Sequence, residues 1–283
     1  MAPRKALATL LLQLLAAGSC AVDQPTVLNE DLGPRLSSVS DDALPARLRV
    51  MSNQLVALFV DGRRVDYDGL AASELFAEYR ALVGQLPRFP LEALETQAQR
   101  LAFWTNLYNA LVMHAVLASG VQSSVREQNA FFDRYAYRIG GYTFTPNDIE
   151  HGILRRARFR PEDPRLRFAV QRLDARIHFA LNCASAGCPP IAAYDEEHID
   201  DQFDLATRAF VNSTSGARLD TDAHTIYLSR IFEWYRDDFG EEEDAVLRFL
   251  LTYLRDGEAR DYLARHVKTI IVRYDDYDWS LNH

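Results

Sequence analysis

The chain has 283 residues, 48% of them hydrophobic, and carries a formal charge of −9. That much apolar material can bury a full core as one domain, and there is neither an internal repeat nor a low-complexity tract to suggest another architecture. The acidic balance, with no run of Lys or Arg interleaved with aromatics, argues against nucleic acid as a partner.

At the start, Arg4 and Lys5 precede an uncharged run from Ala6 to Leu15 and small residues up to Cys20, the layout of a bacterial export signal. The run is broken by Gln13 and stops short of the roughly 20 apolar residues a membrane span needs. Two cleavage patterns fit. Ser19-Cys20-Ala21 offers small residues to a signal peptidase, whereas Ala17-Gly18-Ser19-Cys20 has the form of a lipobox, without its usual Leu, in which Cys20 would be acylated. The expected protein is exported: periplasmic, secreted, or tied to a membrane through Cys20 alone. Residues 21–40 are polar and read as a spacer ahead of a single globular domain over 41–283.

Leu55 to Val60, the Asp61-Gly62 pair and Val65 to Tyr67 read as a hairpin, followed by an amphipathic helix over 71–82. The next helix, about 96–117, is apolar nearly all round and so predicts a buried element. At about 100° per residue, Phe103, Asn106, Ala110 and His114 share one quarter of its circumference, with Asn109 nearby. Two asparagines are thereby sent inside, where an unpaired amide costs about 1–3 kcal/mol. Arg138 to Phe144 reads as a hairpin about Gly140-Gly141, after which Thr145 caps a helix that begins with Pro146. In that helix Ile149 and Ile153 form the packing stripe, with Glu150 and His151 flanking it.

The most informative stretch is Ile177-His178-Phe179-Ala180-Leu181-Asn182-Cys183, whose alternation predicts a strand that exits into the small-residue loop leading to Cys188-Pro189-Pro190. Beyond it, helices are expected over 197–211, 230–236, 244–255 and 259–266, with strands at 225–228 and 268–273 and a polar, aromatic tail from Asp275. Asp237-Asp238 and Glu241 to Asp244 read as a solvated face with at most a weak calcium contact. The fold class is α+β: a helix-rich single domain with several short strands and hairpins.

Four separated blocks, Ala102 to Ala110, Asp148 to Arg155, His178 to Cys183 with Cys188-Pro189, and Tyr277-Asp278-Trp279, resemble the domain of unknown function 547 family over about Arg100 to the end. The resemblance implies no settled activity. It implies that exported bacterial members carry a signal or lipobox, and that eukaryotic members keep a cysteine matching Cys183 while often lacking one matching Cys188.

Two chemistries stay open for Cys183. As a nucleophile it needs a base, for which His151 oriented by Glu150 is the first choice, with Asn106, Asn109 and His178 as substrate-binding groups. His178, five residues earlier on an extended strand, would lie roughly 16 Å away. In an oxidising compartment the alternative is a structural Cys183–Cys188 disulfide in a non-catalytic binding protein. The C-x4-C spacing suits neither a structural zinc site nor a redox motif, so no metal and no cofactor are expected. The partner expected is a small-molecule, peptide or envelope substrate of a cysteine-dependent hydrolase or acyl transferase.

Overall fold

The computed structural model describes residues 24–30 and 43–283, so both leader readings, Cys20 included, lie outside the described residues. One long helix organises the rest. The first elements are β1 (Thr26–Val27), α1 (Leu44–Phe59), the hairpin β2 (Val60–Asp61) and β3 (Arg64–Val65), α2 (Tyr67–Ala72), α3 (Glu74–Val83) and α4 (Gln97–Ser119). Helix α4 starts at a reciprocal cap, Thr96 accepting from the Gln99 N–H and the Gln99 side chain accepting from the Thr96 N–H, and stops at left-handed Gly120. Every residue from Leu101 to Val116 is buried. It is long and apolar enough to cross a membrane, but α1, α2, the later helix Ile199–Val211, the strand Tyr135–Ile139 and the turn after Thr145 pack around it instead.

Most of the strand expected at Leu55 to Val60 is the end of α1; the hairpin itself forms, but short, with Val60–Asp61 paired antiparallel to Arg64–Val65 across the turn at Gly62. The helix expected over 71–82 is split because Ser73 accepts from the Phe76 N–H and so restarts the chain as α3. Short α5 (Phe131–Arg134) leads into β4 (Tyr135–Ile139), which pairs antiparallel with β5 (Tyr142–Phe144) across left-handed Gly140 and Gly141, as the Gly-Gly pair predicts. On its other edge β4 pairs parallel with β1, and Asn29 bonds the carbonyls of Val83 and Arg138 and the Arg138 N–H. Residues 24–30, read as spacer, are therefore built into the fold.

The C-terminal part forms a second layer. Helix α6 (Ile199–Val211) precedes β6 (Ala217–Asp220) and β7 (Thr225–Leu228); then come α7 (Arg230–Trp234), α8 (Ala245–Tyr253), α9 (Glu258–His266) and β8 (Ile271–Tyr274), which lies parallel to β7. Phe179, Phe210, Phe232, Leu250 and Leu263 make a core of their own beside the larger one around α4. The helix-rich α+β expectation holds, with the strands in small sheets.

The expected strand over 177–183 does not form. Ala175–Phe179 is a tight 3-10 turn started by Asp174, which accepts from the Arg176 N–H, and the chain then runs irregularly to Cys188. Residues 177–182 are all buried, so alternation selected no exposed face. In place of a neighbouring strand, Asn109 supplies the hydrogen bonds: Nδ2 donates to the Ala180 carbonyl at 2.9 Å and Oδ1 accepts from the Asn182 N–H at 2.9 Å. Asn106 does the same to both backbone groups of Tyr194. The C-terminal residues close over the loop, with the Ala186 and Gly187 N–H groups donating to Ser280 and Asp278 and Asn282 donating to the Ala184 carbonyl. At Gly187 the fit is close, since a Cβ there would stand 3.0–3.1 Å from the Tyr277 ring and the Asp278 carbonyl.

Asn109→Ala leaves two buried backbone groups unpaired and is expected to cost roughly 2–5 kcal/mol in urea denaturation. One turn earlier the buried Thr105 hydroxyl has no partner. Thr105→Val should accordingly be neutral or stabilising by up to about 1 kcal/mol in the same measurement.

Candidate functional site

The two cores meet along the irregular loop, Phe179 belonging to the C-terminal one and Ile177, Ala180 and Leu181 to the other. A cleft of about 180 Å³ opens at this seam. It brings together Tyr108 of α4, Glu150 and His151, His178, Cys183 and Cys188 of the loop, Trp234 and Tyr235 at the end of α7, and Tyr277 and Trp279 of the C-terminal segment.

Glu150 and His151 sit in a widened helical turn, Asp148–Leu154, in which the Arg155 N–H reaches back five residues to the Glu150 carbonyl. Thr145 caps it as expected, accepting from the Asp148 N–H, and Ile149 and Ile153 are buried. Glu150 is itself buried and does not merely flank the stripe. Its two oxygens accept from phenols, Oε2 from Tyr108 at 3.0 Å and Oε1 from Tyr235 at 2.5 Å. Burial, and then the Glu150 charge, push both phenols well above their ordinary pKa, so they remain donors.

His151 is not oriented by Glu150. Its Nδ1 lies 3.0 Å from Arg155 Nη1, which can only donate, so Nδ1 is the accepting nitrogen and the network assigns the ring proton to Nε2. With Nδ1 unprotonated, the Glu150 oxygen 3.8 Å away is a neighbour without a hydrogen bond.

The imidazole that does have a carboxylate is His178. Its Nε2 lies 2.7 Å from Asp238 Oδ2, while Arg155 grips the same carboxylate from Nε at 2.5 Å and Nη2 at 3.0 Å. The Tyr235 ring stacks on the His178 ring with centroids 3.8 Å apart, and Arg155 lies over that tyrosine at 4.9 Å. Burial lowers the His178 pKa, against the pull of Asp238. For Asp238 burial acts upward, yet the His178 and Arg155 donors overcome it and hold the carboxyl at about 2. The pair is thus a neutral imidazole donating from Nε2 to an ionised carboxylate. Reading Asp237-Asp238 as a solvated calcium face is corrected here: the Asp238 side chain is 9% exposed and its oxygens are committed to His178 and Arg155. Asp244, in the other acidic run, is held by Lys268 and Arg248.

Cys183 and Cys188 form a disulfide. The Cys183 N–H donates to the Cys188 sulfur, Ser185 Oγ lies 3.2 Å from each sulfur, and the Tyr277 hydroxyl lies 3.3 Å from Cys183 Sγ and 3.2 Å from Cys188 Sγ. Burial raises the Tyr277 phenol to about 12, so it is a donor at neutral pH.

Among the expected site residues, Glu150, His151, His178, Cys183 and Cys188 share the cleft, so His178 is not held off by an extended strand. Asn106 and Asn109 do not line it. Their amides are consumed by the Tyr194 and Ala180–Asn182 backbones, which makes them scaffold in place of substrate ligands. The sequence reading missed Tyr108, Arg155, Tyr235, Asp238 and Tyr277 as site residues. The available signal for Asp238 was its setting, between Phe232, Trp234, Tyr235 and Phe239, an aromatic neighbourhood foreign to a solvated acidic face.

Residues 91–211 match the model of a family described as Protein of unknown function, DUF547. Over that span the chain is similar to the DUF547 family. No curated protein and no solved structure matches it. The DUF547 span contains Tyr108, Glu150, His151, Arg155, His178 and both loop cysteines, while Tyr235, Asp238 and Tyr277 lie beyond it, so the C-terminal layer completes the cleft that the family segment begins.

Both His178 and Asp238 have folded-state pKa values below their unfolded ones, which are about 6.5 and 3.9. Each therefore adds stability that is complete above its unfolded pKa and is lost as pH falls toward the folded one. The urea midpoint is expected to decline below about pH 6.5 and again from about pH 4 toward pH 2. Asp238→Asn should lower the midpoint at pH 7, and its deficit relative to wild type should shrink between pH 4 and 2; a constant deficit would show that the carboxylate charge is not what matters.

Proposed function

We propose that the cleft is a thiol-dependent acyl-transfer or hydrolysis site of an exported protein, with Cys183 as nucleophile and the disulfide as its resting, oxidised form. The observation that carries this reading is the state of His178. Its Nε2 is committed to Asp238, its ring is fixed under Tyr235, Nδ1 makes no hydrogen bond among the described residues, and His178 lines the cleft together with Cys183. That is the base-and-orienter half of a Cys-His-acid site, with His178 and Asp238 in the places first given to His151 and Glu150. A formed disulfide also supports an oxidising compartment, in keeping with the export signal read at the start of the chain.

Activation needs a dithiol reductant, which gives two electrons and two protons to the Cys183–Cys188 bond and becomes a disulfide itself. His178 Nδ1 then takes the Cys183 proton, the sulfur bonds to the carbonyl carbon of an acyl substrate, and the carbonyl electron pair moves onto oxygen. The His151 Nε2–H is the side-chain donor available to that oxyanion. Collapse expels an amine or alcohol, which recovers the proton from His178, and leaves a thioester. Water or a second amine or alcohol then releases the acyl group and restores the thiol.

A second reading, a non-catalytic binding protein with a structural disulfide, is favoured by the hydrogen bonds from Tyr277 and the Cys183 N–H to Cys188 Sγ. Iodoacetamide labelling separates the two. Under the enzyme reading neither Cys183 nor Cys188 labels in the oxidised protein, reduction exposes Cys183 as the faster of the two thiols, and His178→Gln slows its alkylation at least ten-fold at pH 7. If both thiols react at one ordinary rate that His178→Gln leaves unchanged, the disulfide is structural.

A further inference from the structure

Glu150 poses a problem that the acyl-transfer chemistry leaves unanswered. It is a buried carboxylate on the wall of the cleft, and among the described residues no Lys or Arg forms an ion pair with it. Its neighbour Asp238, by contrast, has a two-pronged arginine. Two phenol donors satisfy one lone pair on each oxygen but bring no positive charge, and a buried carboxylate normally acquires a counter-ion. The other imidazoles do not supply one, since His151 accepts at Nδ1 from Arg155 and His178 is held neutral by burial.

Much of the remaining lining is aromatic. Trp234, Tyr277 and Trp279 pack on one another with centroids 4.8–5.6 Å apart at the cleft, and Trp234 is 44% exposed. Such ring faces attract cations. The protein's own guanidinium groups already use one of these rings and a neighbouring one, Arg126 over Trp279 at 5.2 Å and Arg155 over Tyr235 at 4.9 Å.

From a buried carboxylate that forms no ion pair with a Lys or Arg among the described residues and a tryptophan-rich wall lining the same small cleft, we infer that the cleft recognises an alkylammonium group, the kind carried by a lysine side chain or a free amine. This rests on the cleft being a ligand site and gives the proposed reaction a substrate class: an acyl donor or acceptor bearing an amine on a short apolar stem. The ammonium completes the Glu150 pair, and its stem lies against the rings.

Trp234 and Trp279 provide the readout. The oxidised protein is titrated with n-butylammonium chloride, n-butanol and sodium butyrate while tryptophan fluorescence is followed, with N-acetyl-lysine amide as the peptide-like arm. Butylammonium should give a saturable change at least ten-fold tighter than the alcohol or the carboxylate, and Glu150→Gln should abolish that preference. Trp234→Ala should weaken the amine several-fold, with Trp279 fluorescence as the readout. Tighter binding of N-acetyl-lysine amide than of butylammonium identifies a peptide side chain as the source, and the reverse identifies a free amine. Equal binding of butanol or butyrate, or an unchanged preference in Glu150→Gln, overturns the inference. Because the titration uses the disulfide form, its failure leaves the thiol reading standing, and failure of the labelling experiment leaves this one standing.

Discussion

A buried stretch of chain with no strand beside it must still pair its N–H and C=O groups, and nearly everything at this site follows from how that is done. Asn109 on α4 clamps Ala180 and Asn182, and Asn182 in turn reaches the Pro189 carbonyl and the Ala184 N–H. The loop is thereby fixed by side-chain amides and can stay irregular. A sheet ladder would have forced residues 177–183 straight and carried His178 away from Cys183. The clamp also explains why α4 is buried all round: its amides have to lie at the depth where the loop passes.

Once the loop is held, electrostatics fixes the rings. Arg155 joins the widened turn to the C-terminal layer, donating to His151 on one side and to Asp238 on the other. One guanidinium therefore sets two tautomers: it makes His151 Nδ1 an acceptor directly, and it keeps Asp238 ionised so that His178 donates from Nε2. A guanidinium carries no acceptor, so neither partner can donate a proton to it. A lysine at 155 could supply charge but not the flat, two-pronged grip.

Much of the scaffold was legible because its signals are local. The Thr96 cap, the Gly140-Gly141 turn, the Thr145 cap and the β7 strand each rest on a few adjacent residues, and each appears in the structure. The buried character of α4 followed from composition alone. What could not be read was pairing at a distance. Asp238 lies 60 residues from His178 in sequence and 83 from Arg155, and its acidic neighbours Asp237 and Glu241 to Glu243 disguise it as surface. The alternation at 177–183 misled for a related reason: when both sides of a segment are buried, period two carries no information about strand formation, and the decisive partner was an asparagine some 70 residues earlier.

The disulfide and the hydroxyls around it bear on the same chemistry. Tyr277, held against the loop by the backbone bonds of Gly187 and Ala186, places one protonated phenol beside both sulfurs. In the oxidised form it is a weak donor to a neutral bridge, worth little. After reduction the same phenol, together with Ser185, becomes a donor to whichever sulfur is a thiolate, and a hydrogen bond to a charged acceptor is roughly twice as strong as one to a neutral acceptor. The surroundings therefore favour the charged product of reduction more than the bridge itself. In the proposed reduced form, hydroxyl donors on the loop and the C-terminal segment would take the part that a helix N-terminus plays beside reactive thiols.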